Sequence, residues 1–254
     1  MIIDTHSHLY YESILNNIDD VLKRAEDAGI EKIIAPAVDY NKSLQLLELC
    51  AKYKMVYAAL GIHPTDVNKY DYSELEKIET LFNNDKVVGV GETGLDYYWD
   101  TSYNNKQKDF FKMHIEIAKN KELPVIIHTR NSIDDAISLV EENYSEKLKG
   151  QFHCFDGTVE QMKRVMDIGT FYVSFTGNVT YKKYEYAETV LQTPIDRILS
   201  ETDSPFLSPI PYRGKPNEPA YIVNTIKKIA EIKNISEDEM MKALRENAKV
   251  LFKV

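Results

Sequence analysis

The chain reads as an α/β protein, a (β/α)8 barrel of the TIM type, built as a single domain over residues 1–254. Three observations predict this. Short apolar runs rich in Val and Ile alternate with longer amphipathic segments from one end to the other. Eight strand candidates can be counted, and about 250 residues is the usual size for eight β/α units. No linker, low-complexity tract or shift of composition divides the chain. A doubly wound open sheet is the rival, but no Gly-x-Gly-x-x-Gly follows the first strand.

The first strand is "MIIDTH" (1–6). Ile14, Ile18, Val21, Leu22 and Ala25 then share one helical face, and Gly29 stands where a C-terminal cap belongs. "KIIAPAV" (32–38) and "MVYAALGI" (55–62) are the next two strands, apolar almost throughout, as parallel strands covered on both faces should be. "KVVGVGE" (86–92) and "LPVIIHT" (123–129) are the fourth and fifth. A helical face of Ile133, Ala136, Ile137 and Val140 follows, capped by Ser132 or Asn131. "GQFHCF" (150–155), "FYVSFTG" (171–177) and "DRILSET" (196–202) complete the eight strands. "AYIVNTIKKIAEI" (220–232) and "SEDEMMKALRENAKVLF" (236–252) read as two closing helices.

The net charge of −9 excludes a histone-like or nonspecific nucleic-acid coat, which would be basic. It leaves room for an enzyme that meets a polyanion through a metal and a few local arginines. Cys50 and Cys154 form no close-spaced pair, so free buried thiols are expected rather than a disulfide framework. No apolar run reaches the ~18–20 residues of a membrane span. The start "MIIDTHSHLY" lacks the regions of a signal peptide. A cytoplasmic protein without membrane contact is expected, as a monomer or small homo-oligomer.

Ligand-type side chains gather at the strand ends. His6 and His8 end the first strand, Glu92 the fourth, His128 the fifth, His153 the sixth and Asp203 the eighth. These lie on the rim where barrel enzymes place their chemistry. Residues i and i+2 of a strand point to one side, so His6 and His8 can reach one ion. Four imidazoles are too many for a single catalytic ion that keeps an open position. Two divalent ions (Mg, Mn, Zn or similar) about 3.5–4 Å apart, with one carboxylate bridging, suit the set. A lone histidine at a strand end is more often a satisfied polar residue, but six such groups together would repel and lose hydration without a cation.

Other groups divide. Strand alternation should turn the Cys154 sulfur away from the rim centre, making it a barrel-wall thiol. His114, mid-helix in "FFKMHIEIAK", reads as structural. His63 in "LGIHP" faces the active rim as a candidate substrate contact, and Arg130 and Arg213 as candidate phosphate donors, with a surface salt bridge the bland alternative for each arginine. In "LDYYWDTSY", Tyr97, Tyr98, Trp99 and Tyr103 either stack nucleobases or form the packed underside of a loop.

Taken together, "IDTHSH", "GIHP", "GETGLDYY", "LPVIIHTR", "FHCFDG", "ETDSP" and "PYRGKPNEP" resemble, in order and spacing, the TatD family of metal-dependent deoxyribonucleases. The resemblance covers the whole chain. It implies a TIM barrel of the amidohydrolase-like superfamily that cleaves DNA phosphodiester bonds with divalent metal ions. It also implies His6, His8 and Asp203 on one ion, His128 and His153 on the other, and Glu92 as the bridge. An amidase-type relative would often carry a carbamylated lysine where Glu92 stands. The expectation is a two-metal hydrolase that trims single-stranded DNA ends, with Asp203 and Glu92 catalytic and Glu201 the reserve base. A D-aminoacyl-tRNA deacylase, or another ester or amide hydrolase on the same centre, is the alternative. A vestigial binding barrel is disfavoured because no ligand is missing.

Overall fold

Every apolar run becomes a strand of one parallel sheet in the computed structural model, which describes residues 1–254. The strands are β1 (Ile2–Asp4), β2 (Ile30–Pro36), β3 (Val56–Leu60), β4 (Val87–Asp96), β5 (Val125–Arg130), β6 (Gly150–Phe152), β7 (Phe171–Phe175) and β8 (Ile198–Ser200). They pair in sequence order, and a Ser7–Ser204 bridge brings the end of β8 beside β1 to close the barrel. The expected (β/α)8 barrel is the observed one, with helices in every connection.

Two strands differ from expectation in ways that matter to the rim. β1 stops at Asp4, so His6 and His8 lie beyond it. Their backbone is tied singly instead: Ser7 N donates to Ile34 O, His8 N to Ser204 O at 2.8 Å, and Asp203 N to His6 O at 2.8 Å. β4 runs past Glu92 to Asp96, with a register shift between Val90 and Thr93. Beyond the shift Gly94 pairs with His128 at a φ of 130°, and a Cβ there would collide with the His128 carbonyl. Only glycine lets β4 and β5 approach so closely.

Side-chain alternation divides the core. Ile3, Ile34, Ala59, Val88, Ile126, Tyr172 and Leu199 form one apolar cluster with Ala248, Leu251 and Phe252. One strand after another contributes to it, so it fills the barrel interior, and the last helix (Glu237–Phe252) plugs the floor. The larger cluster joins the outward strand residues to the helices, as in Ile18–Asp27, which buries Ile18, Val21, Leu22 and Ala25. Gly29, at φ 87°, follows the Ala28 cap of that helix as anticipated. Ser132 is the N-cap of Ile133–Glu142 by position, but its hydroxyl donates to Leu95 O at 2.6 Å and accepts from Arg130 N at 3.1 Å. It fastens the ends of β4 and β5 instead of capping. No helix is long and apolar enough to cross a membrane.

Candidate metal centre

All six rim residues meet at the C-terminal mouth of the barrel, around Glu92. The two oxygens of this carboxylate face different groups. Oε2 stands 3.3 Å from His6 Nε2 and 3.5 Å from His8 Nε2. Asp203 Oδ1 completes that side, 3.7 Å from His6 Nε2 and 3.4 Å from His8 Nε2. Oε1 stands 2.9 Å from His153 Nε2, 3.0 Å from His128 Nδ1 and 3.3 Å from His63 Nε2. Asp203 has a φ of 53°, a turn out of the strand direction that Asp tolerates better than most residues.

Behind these groups stand Asp96 and Tyr10, which sequence reasoning missed, and Glu201 and His63, whose contacts it did not foresee. Asp96 Oδ2 accepts from His128 Nε2 at 3.0 Å, which leaves His128 Nδ1 free to face Glu92. Glu201 lies fully buried beneath His153, its Oε1 3.4 Å from Nδ1. It also accepts from Ser174 Oγ at 2.7 Å, Cys154 N at 2.7 Å and Gln151 Nε2 at 3.1 Å. Glu201 is thus anchored inside the barrel rather than held in reserve as a base. Tyr10 Oη lies 2.9 Å from His8 Nδ1. His63 Nδ1 accepts from Thr65 N at 3.2 Å, so the ring proton sits on Nε2 and points at Glu92. The acidic positions 96 and 201 were visible in the sequence, but their targets are fixed by the barrel: Asp96 meets His128 because β4 pairs with β5, and Glu201, which follows β8, reaches His153 past β7.

The electrostatics follow from burial and proximity. Burial works to raise Glu92, yet His153, His63 and His6 hold its carboxyl well below the usual carboxylate range. Burial works against charge on His153, yet Glu92 and Glu201 raise it well above an ordinary histidine. His128 is raised too, against burial, by its bonds to Asp96 and Glu92. Burial and the neighbouring His153 lower His6, and burial lowers His63. Asp203, despite burial, is lowered by its bond to His8 and by the surrounding histidines, and is ionised at neutral pH. Buried Glu92 Oε2 and His6 Nδ1 have no hydrogen-bond partner. Nitrogen and oxygen atoms so crowded around one carboxylate, with its Oε2 unsatisfied, fit divalent cations, and these ligand types suit Zn, Mn or a similar ion.

A cleft of about 610 Å³ opens above the cluster. Arg130 lines it with no ion-pair partner, its guanidinium 3.8 Å over the Tyr98 ring and 5.3 Å from Trp99. The surface salt bridge is therefore not its role. Arg213 is exposed, lies outside the cleft lining and packs 4.4 Å over Tyr181. Cys154 is a correction. Its φ of 45° breaks the alternation, and it lines the cleft instead of the wall, half-buried. Burial keeps its thiol well above the ordinary value. Cys50 is the buried free thiol expected. Tyr97 packs inward, bonded to Asp135 at 2.9 Å, while Tyr98 and Trp99 stay exposed. His114 is structural as expected: Nε2 accepts from Ile62 N at 3.0 Å and Nδ1 donates to Phe110 O at 2.7 Å.

A family model described as "TatD related DNase" matches residues 3–253. YabD of Bacillus subtilis, named as an uncharacterized metal-dependent hydrolase, is 39% identical over 255 residues and 100% of both chains. YcfH of Escherichia coli K12, named likewise, is 34% identical over 257 residues, covering 100% of this chain and 96% of its own. The crystal structure of YjjV, a TatD homologue of Escherichia coli K12, matches with a TM-score of 0.95 and 30% identity, covering 100% of this chain and 98% of that one.

Proposed function

The chain belongs to the TatD family of metal-dependent hydrolases, and from that premise we propose that it cleaves DNA phosphodiester bonds, working on single-stranded ends with two divalent ions. The observation that carries the two-ion reading is Glu92, with one oxygen in each nitrogen group. His6, His8 and Asp203 would hold one ion and His128 and His153 the other, with Glu92 shared. Such ions would lower the pKa of a bound water from about 15.7 towards 7 and offset charge building on phosphorus.

The chain's own groups do the rest. Asp203, ionised and at the cleft floor, takes the proton released as water attacks. Arg130, stacked and free of ion pairs, offers two parallel donors to the phosphate oxygens. His63 presents an N–H and serves the substrate side, as a donor to the phosphate or the departing oxygen. Asp96 and Glu201 hold His128 and His153 in the orientations the centre needs. Phosphodiester hydrolysis balances with one water: its oxygen bonds phosphorus as the bond between phosphorus and the sugar oxygen breaks, and the proton first taken by Asp203 ends on that departing oxygen.

The test is a panel of labelled single-stranded DNA, RNA and D-aminoacyl-tRNA, with chelated protein reloaded with Mn²⁺. Metal-dependent release of nucleotides from DNA is expected. Deacylation of the tRNA with intact DNA would overturn the reading.

A further inference from the structure

Four large aromatic side chains stand exposed around the cleft: Tyr11 at 38%, Phe206 at 46%, Tyr98 at 52% and Trp99 at 67%. Tyr11, Phe206 and Trp99 line it directly. Barrel topology sorts them into two walls. Tyr11 follows β1 and Phe206 follows β8, which barrel closure makes neighbours; their rings are 5.3 Å apart, edge to face. Tyr98 and Trp99 follow β4, and Arg130, stacked on both, ends β5. In a barrel of order β1 to β8 the β4–β5 edge lies across from the β8–β1 edge. The Glu92 cluster therefore lies between the walls.

Large aromatic faces left in water at a site mouth mark a surface meant to be covered. A phosphodiester centred on the cluster carries one nucleoside on each side, so two bases need somewhere to go. We infer that the walls are a base clamp: one unpaired nucleobase flanking the scissile phosphate stacks on Trp99, and the other on the Tyr11–Phe206 pair. This rests on the phosphodiester reading above. Every base has a π-face, so such walls take any sequence. A base inside a duplex has both faces covered already, so the clamp selects single strands and frayed ends. Arg130 shares a wall with Trp99, so its donors sit where the phosphate joins the stacked nucleoside.

Trp99 is the only tryptophan of the chain, so its fluorescence reports this wall alone. The protein is titrated with a short single-stranded phosphorothioate oligonucleotide, then with the same backbone carrying abasic sites. Quenching by the first and not by the second is expected. In hydrolysis, Trp99→Ala and Phe206→Ala should each lower kcat/KM on single-stranded DNA by about tenfold, the scale of one lost stack. Trp99→Phe, which keeps a ring to stack on, should lose less than Trp99→Ala. On a substrate abasic at the matching nucleoside, alanine variant and wild type should cleave alike. Bound metal should be unchanged throughout. Equal losses on normal and abasic substrates would overturn the clamp and reduce the wall to a support for Arg130; so would unaltered fluorescence at saturating oligonucleotide. Quenching with no hydrolysis of DNA would retire the reaction assigned above while supporting the base-binding walls. Normal hydrolysis with a silent Trp99→Ala would sink the clamp alone.

Discussion

Replacing Glu92 by glutamine keeps the shape of the side chain and removes one negative charge. That charge is shared among five imidazole nitrogens between 2.9 and 3.5 Å away, divided between the two carboxylate oxygens. Whichever way the amide turns, its NH2 group faces one nitrogen group as a donor where an acceptor stood. Loss of a partner that merely orients a ligand costs about 10–100-fold in metal affinity. A group touching both ions should cost at least the upper figure for each, about 100-fold or ~2.7 kcal/mol, and activity should vanish. His153 would also fall back towards an ordinary histidine, since Glu92 is the first of the charges that raise it against burial. The assay is plasma mass spectrometry of protein equilibrated with buffered Mn²⁺, with melting of the metal-free variant as the folding control. Two tightly held equivalents of Mn²⁺ in Glu92→Gln would refute the bridging role.

Asp203→Asn should leave the melting curve of the metal-free protein near wild type, yet slow hydrolysis by about 10²–10⁴-fold, because an amide takes no proton; normal turnover would pass the role of base to another group. Arg130→Lys should keep the charge but lose the forked donors, lowering kcat/KM by about tenfold with bound metal unchanged. With few cations at the cleft of an acidic protein, kcat/KM on single-stranded DNA should fall with salt at a log–log slope of magnitude about 1–3, and a slope near −8 would reveal a long basic track. His114 is buried and pushed down to about 4 from 6.5, so it is neutral when folded and takes up a proton on unfolding. Its contribution is present above pH 6.5 and lost as pH falls towards 4, up to ~3 kcal/mol. Urea unfolding of metal-free His114→Gln should therefore show a shallower acid loss over that window, and parallel curves would remove His114 from the pH dependence.

The sequence determined by itself the eight strands and their order, and it marked six ligand-type residues at the strand ends. Parallel strands buried on both faces must be continuous apolar runs, so a His, Glu or Asp at the end of one stands out. That made His6, His8, Glu92, His128, His153 and Asp203 legible, because they stand at the ends of five of these runs, His6 and His8 after the same one. Tertiary structure decided the rest. Asp96 becomes the partner of His128 only because β4 extends beyond Glu92 and pairs with β5. Glu201 reaches His153 because both point inward from strands far apart in sequence. Cys154 and Asp203 leave the period-two rule through positive φ, at 45° and 53°, so alternation misplaced the thiol. Arg213 and Arg130 look equivalent in sequence, yet one stacks on Tyr181 outside the cleft and the other lines it. Apolar periodicity is a local property, written in neighbouring residues. What a polar side chain touches depends on which strand closes beside it, on backbone angles that break the repeat, and on the loop that covers it.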